Sequence, residues 1–459
     1  MITPQIPKGF RDFLPEKKII RQQIIDHIRS IFETYGFVPL ETPCLEYAET
    51  LEGKYGEEGD RLIYKFLDRG GRAVALRYDL TIPLCRVISM YPELVKPFKC
   101  YQIAPVWRAD KPQKGRFREF YQCDIDIIGT ASVLADAELM SIMYAVLTKL
   151  GITNFTIHIN HRKLLNAIAV TAGIRDNEVT TFLRSLDKLD KVGKETVSAE
   201  LKEKSISANS IERAFAIIEE AGTSGNHKAF LEKIGSLTQG AAGGEQGVAE
   251  LMIIREALEA QGIPEHCYCF DLSLARGLDY YTGPVFETRV ETPRVGSITG
   301  GGRYDNLIGM FCKTPYPATG TSFGLERLIA VLEEMAGQDT RQSKTQVLVA
   351  LFDKSLLAET VRLSKMLRDA GINTEIYFEA DKLKKQLTYA SNKSIPLVVI
   401  LGSDEFKNKT VALRNMQLGQ QEIIAQHDLV HTVKSVCNYQ ALKIKYLPQN
   451  YTDFTERDF

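Results

Sequence analysis

Residues 107–128 read WRADKPQKGRFREFYQCDIDII, and the second half of this stretch decides how the rest of the chain is read. From Tyr121 to Ile127 the residues alternate. Tyr121, Cys123, Ile125 and Ile127 fall on one face of an extended strand, and Gln122, Asp124 and Asp126 fall on the other. A polar face inside a sheet needs a reason. Alternation by itself favours the solvated side of an outer strand, and context has to decide. The first half, 107–118, carries five basic residues against one acid, with Pro112 and Gly115 marking a loop between two strand-like runs. A basic hairpin is expected there. It reads equally as a solvated turn or as a holder for a polyphosphate, whose oxygens a planar guanidinium group binds two at a time.

Working outward, Ile20, Ile24, Ile28, Ile31 and Tyr35 recur at helical spacing after Pro15, and Gly36 supplies a stop. β-rich runs follow at Phe37–Leu40, Ala75–Thr81, Phe98–Trp107 and Phe117–Ile128, before a helical stretch from Leu134 to Leu150 closed by Gly151. The pattern predicts an α+β domain built on a mainly antiparallel sheet. Over 171–262 charged helical segments such as Phe182–Lys191 take over, with a glycine-rich break at Gly240–Gly247, and a mostly helical insertion is expected. Strand-like segments return at Cys267–Leu274, Val285–Val290 and Ser297–Thr299, and a helix begins near Leu325. After a polar linker at Gly337–Thr345, strands and helices alternate from Val347 to Leu401, the signature of a small α/β domain. The expected organisation is a first domain over 1–335 interrupted by 171–262, an α/β domain over 345–443, and an aperiodic tail over 444–459.

The 459 residues, 25% charged and 44% hydrophobic, suit two or three globular domains and argue against disorder or fibre. A formal charge of −1 means that a nucleic-acid partner has to be met by local basic patches. The eight cysteines form no CxxC pair and read as reduced, buried thiols. His158 and His161 lack a partnering array of ligands, so no metal site is expected. The N-terminus shows neither an apolar secretory core nor a transit pattern, and nowhere do 18 apolar residues run together. A cytoplasmic chain without a membrane partner is expected.

Two further stretches could carry chemistry. Gly300–Asp305, GGGRYD, is neither a dinucleotide-binding GxGxxG nor a Walker loop, so an ATP site here has to be built on another plan. Its glycines fit either close backbone approach to a ligand or a tight structural turn. Gly320–Leu328, GTSFGLERL, enters a helix whose apolar face runs through Leu325, Leu328 and Ile329. Arg327 points elsewhere, and an exposed, salt-bridging arginine is the commoner meaning of such a position.

These residues together resemble the histidyl-tRNA synthetases of class II, from PKGFRD at 7–12 to about residue 440. Phe37–Pro43 looks like the class's motif 1 at a dimer interface, WRAD with REFYQ like motif 2, and GTSFGLERL like motif 3. LARGLDYY at 274–281 and GGRYD at 301–305 are specific to the family.

The resemblance implies a homodimer that takes ATP with its accompanying Mg2+, L-histidine and tRNA(His). It makes histidyl-adenylate and pyrophosphate, then transfers histidine to the terminal ribose of the tRNA. Arg108 is implied at the α-phosphate and substrate carboxylate, Arg116 at the distal phosphates, and Arg327 on the phosphates' other side. Arg276 is similar to an arginine thought to stabilise the α-phosphate where other class II enzymes use an additional metal ion. Asp79, Thr81 and Gln122 match residues that hold the amino and carboxylate groups of histidine. Asp126, Tyr280, Tyr281 and Tyr304 match the pocket around the imidazole. Asp79 and Asp110 stand where many members carry glutamate. The last domain resembles an anticodon-binding domain, and Asp381–Arg414 holds seven basic residues against three acids, a local footprint suited to RNA. The same fold also serves histidine-sensing regulatory proteins that charge no tRNA, but those usually lack the motif arginines or the last domain.

Overall fold

A computed structural model describes residues 2–441 apart from 113–115, 223–225, 276–279, 294, 337–342 and 352, with backbone alone at 57–58 and 437–441. Two units are distinguished by their internal packing, Met1–Arg11 with Ile25–Met335 and Asp12–Ile24 with Ala336–Phe459.

In the first unit the strands are β1 (Val38–Pro39), β2 (Leu45–Tyr47), β3 (Lys65–Leu67), β4 (Ala73–Leu76), β5 (Phe98–Trp107), β6 (Glu119–Ile128), β7 (Phe155–His161), β8 (Tyr268–Phe270), β9 (Pro284–Val290), β10 (Thr299–Arg303) and β11 (Ala318–Gly324). Eight of them form one sheet in the order β1-β5-β6-β11-β10-β9-β7-β8. The pairs from β5 to β7 are antiparallel, and only the outer pairs, β1 with β5 and β7 with β8, are parallel. β2, β4 and β3 make a separate small sheet.

The alternating stretch is β6, and it is not an outer strand. It lies between β5 and β11, with Ile125 opposite Tyr101 on one side and Thr321 on the other. Both of its faces are covered: Cys123, Ile125 and Ile127 are buried, and so are Asp124 and Asp126 at 3% exposure. The reading as the solvated face of an outer strand is thereby overturned: the strand is central, and its polar side chains are buried.

Two other expectations change. The run Ala75–Thr81 is a strand only to Leu76, and a helix begins at Thr81 and runs to Met90. Asp79 accepts the backbone N–H of Ile82, one of the donors that a helix start leaves unpaired, so the acid favours the turn over further strand. GGGRYD is not a turn, since Thr299–Arg303 is the extended strand β10. Among the cysteines, Cys44 is exposed while Cys85, Cys100, Cys123 and Cys267 are buried.

The helix Leu134–Lys149 buries Leu139, Met140, Ile142 and Met143, and the helix Thr81–Met90 packs Ile82, Leu84 and Ile88 in one cluster with Cys100, Ile128 and Tyr304. Helices Asp176–Leu186, Leu189–Glu203, Ala208–Gly222, His227–Leu237 and Gly244–Ala260 occupy the region between β7 and β8, some of them around a core of Phe182, Leu186, Val197, Leu201 and Phe215.

The second unit carries β12 (Val347–Val349), β13 (Thr374–Ile376), β14 (Leu397–Ile400), β15 (Thr410–Asn415) and β16 (Gln421–Ala425) in the order β13-β12-β14-β15-β16. The first three are parallel, with Leu357–Asp369 and Leu383–Asn392 as the connecting helices, and β15 and β16 add an antiparallel hairpin. Of the basic residues in 381–414, Lys385 pairs with Asp381 at 2.7 Å and Lys393 with Glu375 at 2.5 Å, which reduces the net local charge. The tail at 444–459 lies outside the described residues.

Candidate active site

The buried polar face of β6 is made possible by a glycine on the next strand. Gly320 of β11 sits opposite Asp126, and a Cβ there would lie 1.9 Å from Asp126 Oδ1. Without a side chain at 320, the carboxylate has room to turn toward Tyr304, whose hydroxyl donates to Oδ1 at 2.5 Å. Burial pushes the Asp126 carboxyl up to about 7, against the opposing pull of the Tyr304 hydrogen bond and with help from the nearby Asp79 charge.

Glycine is required on β10 for a related reason. A Cβ on Gly301 would come 2.1 Å from the Gly320 carbonyl oxygen, and one on Gly302 would come 2.7 Å from the Pro284 oxygen and 3.0 Å from the Tyr281 ring. Close packing inside the protein accounts for both. Gly300, by contrast, faces open space and lines the cleft described below. Tyr281 and Tyr304 both contact Tyr280 or lie near it, with ring centroids 4.9 and 6.1 Å from the Tyr280 centroid. The four nominated pocket residues Asp126, Tyr280, Tyr281 and Tyr304 are therefore brought together.

Asp79 approaches from the turn before the helix Thr81–Met90. Its Oδ1 accepts from the Tyr55 hydroxyl at 3.1 Å and from Ile82 N at 3.0 Å, and the Thr81 N–H also points at it. Burial still raises its carboxyl above the usual range. Gln122 Nε2 donates to Ser322 Oγ at 3.1 Å. Nothing in the sequence marks Tyr55 as part of this region; it arrives from a separate short segment and packs against Tyr78, ring centroids 4.5 Å apart and planes tilted by 42°.

Beside this pocket opens a cleft of about 460 Å³, lined by Arg108, Asp110, Arg116, Gln122 and Arg327 among others. Arg108 Nε donates to the Tyr78 carbonyl at 3.1 Å, and its guanidinium lies 4.2 Å from the Tyr78 ring and 5.1 Å from the Phe120 ring. Those contacts fix the plane of the guanidinium. Arg116 is half exposed and pairs loosely with Asp110 at 3.6 Å. Arg327 donates to the Ser297 carbonyl. Its neighbour Glu326, which sequence reasoning passed over, accepts from Tyr121 N at 3.3 Å and from Arg11 at 3.4 Å. The Arg11 guanidinium in turn lies 3.2 Å from the centre of the Phe117 ring.

Arg276 lies outside the described residues. The other nominated residues divide in two. Arg108, Arg116 and Arg327 line a cationic cleft that suits a polyanion, and Asp79, Asp126 and the tyrosines form a buried acidic cluster whose acceptors suit N–H donors. Gln122 belongs to the cleft and to the strand face that carries Asp126.

His158 and His161 are engaged elsewhere, His158 Nδ1 with Asp271 at 2.8 Å and His161 Nε2 with Glu250 at 2.6 Å. Among the described residues no group of three or more His, Cys, Asp or Glu is placed to hold a metal ion.

An antiparallel sheet carrying three ordered motifs, with a cationic cleft along its buried polar strand, defines the catalytic fold of a class II aminoacyl-tRNA synthetase. The family model described as Histidyl-tRNA synthetase matches residues 9–328, and the one described as Anticodon binding domain matches 346–436. The chain belongs to the histidyl-tRNA synthetase family. A histidine–tRNA ligase of Rhodopirellula baltica is 41% identical over 427 residues, covering 93% of this chain and 96% of its own. That of Helicobacter acinonychis is 40% identical over 441 residues, covering 93% and 99%. A solved histidyl-tRNA synthetase from Nostoc superposes with a TM-score of 0.85 at 32% identity, covering 95% of this chain and 100% of its own.

Proposed function

We propose that this protein activates L-histidine with ATP and ligates it to tRNA(His), releasing AMP and pyrophosphate. The observation that carries the reading is that Gln122 joins the cationic cleft to the strand face of the buried acidic pocket, so that two substrates of opposite demand meet along one strand. Gln122 and Asp126 are four residues apart, about 13 Å of extended chain, which leaves room for histidine to lie along β6 with its carboxylate toward the arginines.

The chemistry joins two anions, the histidine carboxylate and the α-phosphate of ATP. Arginine suits this because its charge survives at every working pH. Arg108, held over Tyr78 and Phe120, orients the carboxylate against phosphorus; Arg116 and Arg327 take the phosphates from two sides. Arg276 adds charge at the α-phosphate. Donors aimed at charge that develops in the transition state each supply about 10² to 10³ in rate, and no side-chain nucleophile is needed. ATP arrives as its Mg2+ complex, as substrate.

Selectivity comes from Asp126 accepting a ring N–H, with Tyr280, Tyr281 and Tyr304 enclosing the imidazole. A site built to bond an N–H rejects analogues lacking it by roughly 10⁴ to 10⁵. Asp79, Thr81 and Gln122 hold the amino and carboxylate groups. The protein works as a cytoplasmic homodimer, the dimer being supported by the resemblance of Phe37–Pro43 to motif 1.

Amino-acid-dependent ATP–pyrophosphate exchange over all twenty amino acids, followed by charging of tRNA(His), tests the reading. Exchange with histidine alone is expected; histidine binding without exchange would instead identify a sensor.

A further inference from the structure

The polar face of β6 holds one group that the proposed reaction leaves without a task, Asp124. Its side chain is 3% exposed, and Oδ1 is buried with no hydrogen-bond partner. Two residues earlier on the same face, Gln122 Oε1 is buried and unpartnered as well. A buried acceptor left without a donor is destabilising, more so when it is charged, and two side by side are not explained by folding alone.

The other polar atoms of the pair are accounted for. Gln122 Nε2 donates to Ser322 Oγ at 3.1 Å and lies 3.4 Å from Asp124 Oδ2, while the Ser322 hydroxyl also bonds Asp124. The two free acceptors thus remain after the neighbourhood has satisfied what it can. Asp126 and Asp79 add negative charge to the same place, opposed by the Arg108 guanidinium, and desolvation with repulsion from Asp126 drives the Asp124 carboxyl well above its usual range. A compact cation with several N–H donors is what this arrangement lacks.

Histidine carries one such group, its α-ammonium. The ammonium and the reacting carboxylate share a carbon, so the ammonium has to sit at the cleft end of the pocket. Gln122 lines that cleft, and Asp126 with Tyr304 lies farther along the strand. Asp124 falls between them.

We propose that Asp124 is a histidine-binding residue in its own right, its Oδ1 and the Gln122 Oε1 together receiving the α-ammonium of the substrate. The assignment rests on the reading of this cleft as the site of histidine activation. It also gives the pocket a way to live with the short Asp79, since a second carboxylate reaches the ammonium from the floor of the sheet.

The test compares wild type with Asp124→Asn and Asp124→Ser in ATP–pyrophosphate exchange. Alongside, inhibition by imidazolepropionate, which is histidine without its amino group, and the thermal midpoint are measured. Both variants are expected to raise the histidine KM by about 10- to 100-fold, the loss of one charge-assisted bond. The KM for ATP and the Ki for imidazolepropionate should stay within about twofold, since neither ligand has the ammonium. The thermal midpoint should hold or rise, because a repelling carboxylate is gone. An unchanged histidine KM overturns the assignment, as does a parallel rise in the histidine KM and the imidazolepropionate Ki. Failure of both variants to fold overturns it too, since that would make Asp124 a structural group. A wild-type protein without histidine-dependent exchange would sink the activation reading itself, a result distinct from all of these.

Discussion

Tyr304 and Asp126 are joined by a 2.5 Å hydrogen bond that reaches across β11, from the residue after β10 to the C-terminal part of β6. The donor is a phenol and the acceptor is the acid proposed to read the imidazole. Removing the hydroxyl with Tyr304→Phe takes away the contact that holds the Asp126 carboxyl down. The histidine KM should rise about tenfold at pH 7 and recover partly at pH 8.5, with the KM for ATP unmoved. Exchange kinetics at several pH values check this, and a pH-independent change in KM would count against it.

Asp126 also sets a pH dependence of stability. Its folded carboxyl, at about 7, lies above the ordinary 3.8, so the folded state holds the proton where the unfolded chain has released it. The stabilising contribution is complete below about pH 4 and is lost as pH rises through about 7. Asp126→Asn cannot ionise and should lack this loss. The difference in thermal midpoint, variant minus wild type, should therefore grow from pH 5 to pH 8.

Gly320→Ala places a Cβ 1.9 Å from Asp126 Oδ1 and 3.0 Å from the Ile125 oxygen. The carboxylate has to move, and overpacking of this kind costs about 1–3 kcal/mol. Histidine-dependent exchange should fall by at least about 10²-fold, the scale expected when a positioned group shifts by an ångström. Denaturant unfolding and exchange kinetics on the same preparation separate the two effects.

For Arg276→Lys, kcat should drop by about 10² while the histidine KM changes little, because a point charge does not reproduce the planar fork proposed to act at the α-phosphate. Single-turnover adenylate formation measures this directly.

Arg303, the arginine of GGRYD, has a structural role. Arg303 is buried, ion-paired with Asp136, and donates to the Thr130 and Ser132 carbonyls at 2.9 and 3.0 Å, while Thr319 Oγ1 donates to Asp136 at 2.7 Å. Asp136→Ala strands the guanidinium in the core and should cost about 3–5 kcal/mol of stability, with both KM values of the surviving folded enzyme close to wild type. Chemical denaturation provides the check.

Much of the architecture was legible because it depends on local order. The 3.6-residue period over Ile20–Tyr35, the period of two over Tyr121–Ile127 and the stop at Gly151 each correspond to an element within a few residues of its expected bounds. The hairpin of β15 and β16 escaped notice. The burial pattern of β16 is mostly exposed, so it offers little apolar alternation to read. In the site, arginines could be nominated from motifs, whereas Tyr55 and Glu326 could not be placed by any local pattern. Their partners, Asp79, Tyr121 and Arg11, are 24, 205 and 315 residues away in sequence.

What the sequence determined by itself is the set of groups available: the alternation that puts Gln122, Asp124 and Asp126 on one side of a strand, the arginines of the motifs, and the glycines at 301, 302 and 320. The tertiary structure decided what that polar face is. Flanked by β5 and β11 and covered on both sides, it loses its water, and loss of water is what raises the carboxyls of Asp124 and Asp126 and leaves two acceptors without donors. Desolvation depends on what surrounds a residue, and part of the surroundings here, β11 and Tyr304, comes from nearly two hundred positions away in sequence, which no local period encodes.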